Sequence, residues 1–288
     1  MEIYQEKTLR CDHFDYQAKT WNDSDLEPIL ALHGWLDNAA SFDCIAPLLK
    51  NYHVVALDLP GHGLSPHKPK GSRYHYVDFI NDIHEVMGYF GWEKIILMGH
   101  SMGAGISTLF AGTFPEQVQQ LILIEGIGPL VSEPEKSPEN LKKAITQYHA
   151  LNKKKPIEHL TLELAESARK MAGDITMAAV KIMADRGIEK TDSGYIWRSD
   201  IQLKSKSPIQ FTEHHVTQFL KKIKAKTLAI QGQQSKLNHL IPITKRCLSV
   251  ENIQVLKLQG GHHVHMENPK NVAESINLFL ESTSDSCQ

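Results

Sequence analysis

Apolar positions along this chain fall into two patterns. Short apolar runs at about 28–33, 53–58, 94–99 and 120–125 read as buried strands, and helically spaced segments at about 78–90 and 102–114 lie between them. That alternation predicts a parallel sheet with helices on its faces. Residues 2–9 and about 13–20 predict a leading hairpin. After a long interruption the pattern resumes with Thr227-Leu228-Ala229-Ile230, a helix near 240–248, a strand at 253–258 and a closing helix from about 270 to 281. The sheet is therefore split in sequence but expected to be whole in space.

The interruption, roughly 128–222, carries helical periodicity. Ser137, with Pro138 and Glu139 behind it, predicts a helix start: serine bonds a free amide, proline needs none, and the acid suits the helix dipole. Asp174 is expected to open another helix, with Ile175, Ala179, Ile182 and Met183 on one face and Gly187 at its close. The expected organisation is one α/β core, residues 1–127 and 223–288, and a helical cap, residues 128–222.

Composition narrows the function classes. A chain of 288 residues with 41% hydrophobic content can bury one substantial core plus an inserted subdomain. The formal charge of -2 gives no global field for nucleic acid or an anionic membrane, and the lysines at 153–155 and at 221, 222, 224 and 226 read as solvated faces. The first residues carry early charges and lack the apolar core of a signal peptide, and no run is long enough to span a bilayer. Cys11, Cys44, Cys247 and Cys287 are scattered, which reads as free thiols in a reducing cytosol. The expected partner is a small-molecule substrate, with no cofactor, nucleic acid or membrane.

Gly99-His100-Ser101-Met102-Gly103 directly follows the apolar run 94–98 and has the form of a nucleophile elbow: a strand ends, the backbone turns sharply into a helix, and Ser101 sits at the apex. The glycines permit a tight turn and close backbone approach. Upstream, the strand at 28–32 runs into His33-Gly34-Trp35, the usual site of a loop that donates an oxyanion-hole amide. The backbone amides of Trp35 and Met102 are the expected oxyanion donors, the latter helped by its place at a helix start. Downstream, Gly260-Gly261-His262 follows the last strand, where a general base must sit to reach a serine at the carboxyl edge of a parallel sheet. A serine hydroxyl needs such a base as it attacks a carbonyl carbon. His263 and His265 are adjacent competitors, and without an accompanying carboxylate and cysteine pattern they predict no metal.

An orienting acid is commonly expected just past the strand at 227–232, but the chain there reads Gly232-Gln233-Gln234-Ser235-Lys236-Leu237-Asn238. Glu125 ends the strand after the nucleophile helix and is the leading candidate, against a carboxylate that merely binds loop amides. Ser235, Asn238 or a dyad without an acid are the alternatives. Asp58-Leu59-Pro60-Gly61-His62-Gly63 reads as a shaped structural turn.

Through His33-Gly34-Trp35, Asp58 to Gly63, Gly99 to Gly103 and Gly261-His262 with Glu267-Asn268-Pro269, the chain resembles the α/β-hydrolase superfamily over nearly its whole length. Within it, His33 to Asn38, Ile124 to Pro129, and Arg186-Gly187 with Gly194 to Asp200 look most like the serine hydrolase-like proteins. The resemblance implies the α/β-hydrolase fold: a mostly parallel central sheet flanked by helices, with an inserted helical cap. It implies a serine hydrolase using Ser101, His262 and Glu125. Haloalkane dehalogenases are similar in placing a glutamate at the Glu125 position but carry an aspartate nucleophile, so Ser101 points to acyl transfer to water. The expected reaction is hydrolysis of a carboxylic ester, with Met171, Met177, Met183, Tyr195 and Trp197 suggesting a small or medium apolar substrate. Other acyl-type or carbon-carbon bond hydrolysis, or noncatalytic small-molecule binding, are the competing readings.

Overall fold

The computed structural model describes residues 4–236 and 243–282. A hairpin opens the chain, with β1 (Tyr4–Arg10) antiparallel to β2 (Asp15–Trp21). β3 (Glu27–Leu32) and β4 (Tyr52–Asp58) follow, then α1 (Asp78–Phe90), β5 (Ile95–His100), α2 (Met102–Thr113) and β6 (Val118–Ile124). A long insert holds α3 (Ser137–Leu151), β7 (Glu158–His159), α4 (Leu162–Ala172), α5 (Met177–Gly187), β8 (Ile188–Lys190), β9 (Tyr195–Trp197) and α6 (Glu213–Leu220). The core resumes with β10 (Lys226–Gly232), α7 (Ile243–Cys247), β11 (Ile253–Leu258), α8 (Val264–Glu267) and α9 (Pro269–Glu281).

Eight strands form one sheet in the order β1-β2-β4-β3-β5-β6-β10-β11, parallel from β4 onward, so the two sequence halves complete a single sheet. The middle strands are apolar on both faces, as a sheet covered by helices on each side requires. Successive residues point to opposite faces, and the packing follows that period of two. Leu30, Leu97, Leu121 and Leu123 join Phe79, Ile83 and Phe110 on one side. Ile29, Ile96, Ile122 and Leu228 meet Val272, Ile276 and Phe279 of α9 on the other. Each fully buried side chain of this kind contributes about 1.5–3 kcal/mol relative to exposure. α1 stops at Gly91, whose φ of 68° is the left-handed helix cap that glycine accepts without strain.

The register levels the carboxyl ends of the strands. Leu32 lies opposite Gly99, His100 opposite Ile124, Ile124 opposite Ile230, and Gly232 opposite Leu258. Loops leaving β3, β5, β6, β10 and β11 therefore emerge on one edge.

The insert departs from the expected local structure in three ways. Besides helices it contains a three-stranded antiparallel sheet, β7-β9-β8, whose strands of two or three residues are too short to leave a periodic signal. Ser137 is already helical, because a 3-10 turn at Pro134–Lys136 leads into α3; Lys136 stands at the cap and no side chain caps it. Asp174 does not open α5: Thr176 caps that helix by accepting from the Ala179 amide. Asp174 instead accepts from the Lys236 amide across the chain. Among the described residues, no helix is long and apolar enough to cross a membrane.

Candidate active site

Ser101 occupies the turn between β5 and α2 with φ 52° and ψ -109°, a strained conformation for a residue with a side chain. Its amide donates to the Ile124 carbonyl at 2.9 Å, which holds the elbow against β6. The flanking glycines serve close approach more than special dihedrals: neither has a positive φ, a Cβ on Gly103 would collide with the Leu32 carbonyl oxygen, and one on Gly99 with the Gly103 backbone.

Glu125, the residue after β6, also has a positive φ, 58°. Its amide donates to the Ile230 carbonyl at 2.8 Å, so the chain turns sharply at the sheet edge and aims the carboxylate across β10. Oε1 accepts from the Gly232 amide at 2.5 Å, and Oε2 accepts from the Ser235 hydroxyl. Oε2 also lies 3.1 Å from His262 Nδ1. Glu125 is 3% exposed, and these donors replace the water it has lost.

His262 reaches back over β10 from the loop after β11. Its Nε2 lies 2.9 Å from Ser101 Oγ while Nδ1 faces Glu125. With Glu125 ionised, Nδ1 carries the proton and Nε2 is free to accept one from the serine, the tautomer a general base needs. The His262 carbonyl accepts from His100 Nε2 at 2.9 Å, and the Gly261 amide donates to Glu267 at 2.6 Å, so the loop is held on both sides of the ring.

Ser101, His262 and Glu125, far apart in sequence, thus stand in one hydrogen-bonded chain. Ser235, an alternative to Glu125 in sequence, bonds Glu125 and supports it. Asn238 lies outside the described residues. His263 faces Asp37 and the Asp174 carbonyl, and His265 is fully buried against Ser41, so neither bonds Ser101. Burial, and the nearby rings of His100 and His263, push the His265 imidazole well below its ordinary range. Asp58 accepts from the Ala39 and Leu64 amides and from Arg186 Nε, which holds its turn and ties it to α5.

Trp35 and Met102 line the same cavity as Ser101. Gly103 donates to the His33 carbonyl at 3.1 Å, which pins the loop after β3 to the start of α2. The Met102 amide belongs to the first turn of α2, where a helix leaves N–H groups without intrahelical acceptors. Leu36, at φ 61°, bends the other loop, and the Trp35 indole donates to the Leu203 carbonyl of the insert at 2.9 Å.

Above the serine the cavity measures about 1220 Å³, and its wall includes Tyr76, Phe79, Leu130, Phe211 and Phe219. The apolar residues expected to form that wall do other things. Met171 points to solvent, Met183 packs in a separate cluster with Ile175, Ala179, Val180 and Met266, and the Trp197 indole donates to the Ala165 carbonyl. Met177, Met183, Tyr195 and Trp197 are absent from the cavity wall; Met177, Met183 and Trp197 pack instead in the cluster that also holds Met266 of the core.

Asp37, His100 and His263 bring three donor atoms within 4.8 Å of one another, an arrangement with the residue types of a metal site. The carboxylate missing from the sequence around His263 is thus supplied by Asp37. The same carboxylate accepts from Arg169 at 2.8 Å and faces His263 Nε2 at 3.1 Å, so cationic and hydrogen-bonding side chains already meet it.

The model of the alpha/beta hydrolase fold family matches residues 27–269. A serine hydrolase-like protein of Dictyostelium discoideum is 33% identical over 94% of this chain and 80% of its own. Serine hydrolase-like protein 2 of Homo sapiens is 30% identical over 92% and 90% respectively. Among solved structures, a hypothetical protein of Pseudomonas aeruginosa PAO1 superposes with a TM-score of 0.91 at 34% identity, covering 98% of this chain and 100% of its own.

Proposed function

We propose a reaction for this chain from the premise that it belongs to the alpha/beta hydrolase family, as a serine hydrolase-like member. The reaction is hydrolysis of a carboxylic ester through an acyl-serine. Ser101 Oγ attacks the ester carbonyl carbon while His262 Nε2 takes its proton, and Glu125 holds Nδ1–H and stabilises the imidazolium that forms. The Trp35 and Met102 amides receive the oxyanion. Collapse breaks the ester bond, and the alcohol leaves with the proton from His262. Water, deprotonated by the same ring, then attacks the acyl-serine; the acyl–oxygen bond breaks, His262 returns the proton to Ser101 Oγ, and the carboxylic acid leaves.

One observation carries this reading: a single ring lies 2.9 Å from Ser101 Oγ on one side and 3.1 Å from Glu125 on the other. The noncatalytic alternative drew on the lack of an acid after residue 232, and Glu125 meets that need from the neighbouring strand. Residues 128–222 act as a cap, contributing Leu130, Ile209, Phe211 and Phe219 to an apolar chamber. A chamber of about 1220 Å³ with an apolar wall has room for an apolar acyl chain, and medium length is the reading tested below. The reducing cytosol remains the proposed location, in keeping with Cys11 and Cys247 as free thiols.

A panel of p-nitrophenyl esters from acetate to palmitate tests the reaction. Turnover that peaks at medium chain length and disappears in Ser101→Ala supports it. No turnover of any ester by protein whose Ser101 reacts with a fluorophosphonate would move the activity to another acyl or carbon-carbon substrate.

A further inference from the structure

Asp37 lies two residues beyond Trp35, in the loop after β3, and its carboxylate is almost completely buried at 3% exposure. Oδ1 accepts from Arg169 of α4 at 2.8 Å. Oδ2 lies 3.1 Å from His263 Nε2 and 3.5 Å from His100 Nδ1. His263 adjoins His262, and His100 adjoins Ser101, so one carboxylate touches the sequence neighbours of both the base and the nucleophile. The loop can fold back this far only over a glycine: a Cβ on Gly34 would stand 2.6 Å from Asp37 Oδ2 and 2.9 Å from His100 Nδ1.

The proton positions follow from the partners. His100 Nε2 faces the His262 carbonyl and His263 Nδ1 faces the Asp174 carbonyl; a carbonyl only accepts, so both nitrogens carry protons. His263 Nε2 faces the Asp37 carboxylate at hydrogen-bond distance, so the ring bridges Asp37 and the Asp174 carbonyl. Burial alone would push the Asp37 carboxyl up, but the charge and hydrogen bond of His263 and the charge of Arg169 outweigh it and hold Asp37 well below its ordinary range. The carboxylate is therefore held between side chains from three other segments: Arg169 of α4, His263 after β11 and His100 at the end of β5.

We propose that Asp37 is a positioning residue that locks the loop carrying the Trp35 amide to the loop carrying His262, and couples both to the insert through Arg169. This rests on the proposed roles of Ser101, His262 and the oxyanion amides. Oxyanion donors and base must hold within about 0.5 Å of their working positions, and two separate loops reach that precision only when tied together. A charge-assisted bridge in a buried, low-dielectric site is suited to the task, because breaking it leaves unpaired buried charge.

The test is kcat and KM per active site, each preparation being titrated with a fluorophosphonate so that unfolded protein does not count. In Asp37→Asn and His263→Gln, kcat per titrated site is expected to fall about 30-fold, within the roughly 10²-fold range for a misplaced catalytic geometry, while KM changes less than threefold. The double variant is expected to be no slower than the slower single one, since both break one bridge. Arg169→Lys, which keeps the cation, is expected to stay within threefold of wild type in kcat. If Asp37→Asn does not fold, His263→Gln and Arg169→Lys carry the test. A lower melting temperature with kcat per site within threefold of wild type in Asp37→Asn, or in His263→Gln if only that variant folds, would reduce the bridge to a structural contact and overturn the proposal. Wild-type protein left unlabelled by the phosphonate would instead sink the catalytic roles themselves, and this proposal with them.

Discussion

The ends of β6 and β10 lie side by side and face the same imidazole, yet they do opposite work. β6 ends in a carboxylate on strained backbone, Glu125 at φ 58°. β10 ends in donors, the Gly232 amide and the Ser235 hydroxyl, both directed at that carboxylate. The position that commonly holds the acid cradles instead a carboxylate that ends the neighbouring strand. On the proposed mechanism, what orients the histidine is an anion of correct reach and full hydrogen bonding, whichever strand supplies it.

The comparison breaks most visibly at the carboxylate. Glu125→Gln keeps shape but offers His262 an amide that can favour the wrong tautomer, so kcat/KM for the preferred ester is expected to fall by about 10²- to 10⁴-fold. Turnover within a few fold of wild type would mean that Glu125 only binds loop amides.

Acid acts on buried histidines near the ends of β3, β4 and β5, and the expected effect is next in size. Burial, then the neighbouring His33 ring, lowers the His62 imidazole from 6.5 to about 3, and burial also lowers His33 and His265. The folded state thus binds fewer protons than the unfolded one between pH 6.5 and about 3. For His62 this stability is fully present above pH 6.5 and is lost as pH falls toward 3, at about 1.4 kcal/mol per pH unit. Urea melts across that range check the slope, and His62→Asn is expected to flatten it. Kinetic comparison of the two strand ends is therefore cleanest above pH 6.5.

Removing a cradle donor should cost less. Ser235→Ala deletes one hydrogen bond to a charged group, and kcat is expected to fall by about tenfold with KM little changed, as steady-state kinetics would show. The smallest expected effect is a severalfold recovery of kcat when Ser235→Asp is added to Glu125→Gln, returning the anion to β10. No recovery would show that the loop after β10 cannot present a carboxylate to His262.

Much of the core was legible in the sequence because its signals are local. Apolar runs of strand length gave the parallel strands, and Gly99 and Gly103 marked the elbow because no larger residue fits beside the Leu32 and Gly103 backbone. His262 was readable from its place after the last strand. Glu125 was harder: its carboxylate points across β10 only because the backbone enters the left-handed region there, and glutamate does not advertise that conformation. The insert was least legible. Thr176 rather than Asp174 caps α5, a three-stranded sheet formed from very short segments, and the chamber wall came from Phe211 and Phe219 instead of the cap methionines, since side-chain direction there depends on packing between elements. Asp37 stood in the quoted motif from His33 to Asn38, but its role emerges only when the fold brings it to His263 and Arg169.

The central claim is that His262 activates Ser101 as a nucleophile. Mass-spectrometric mapping of a fluorophosphonate adduct, with its rate of formation measured in wild type and in His262→Gln, tests it most directly. The adduct is expected on Ser101 alone, forming at least about 100-fold more slowly in the variant. A wild-type protein without adduct at Ser101, or one whose labelling rate is indifferent to His262, would contradict it.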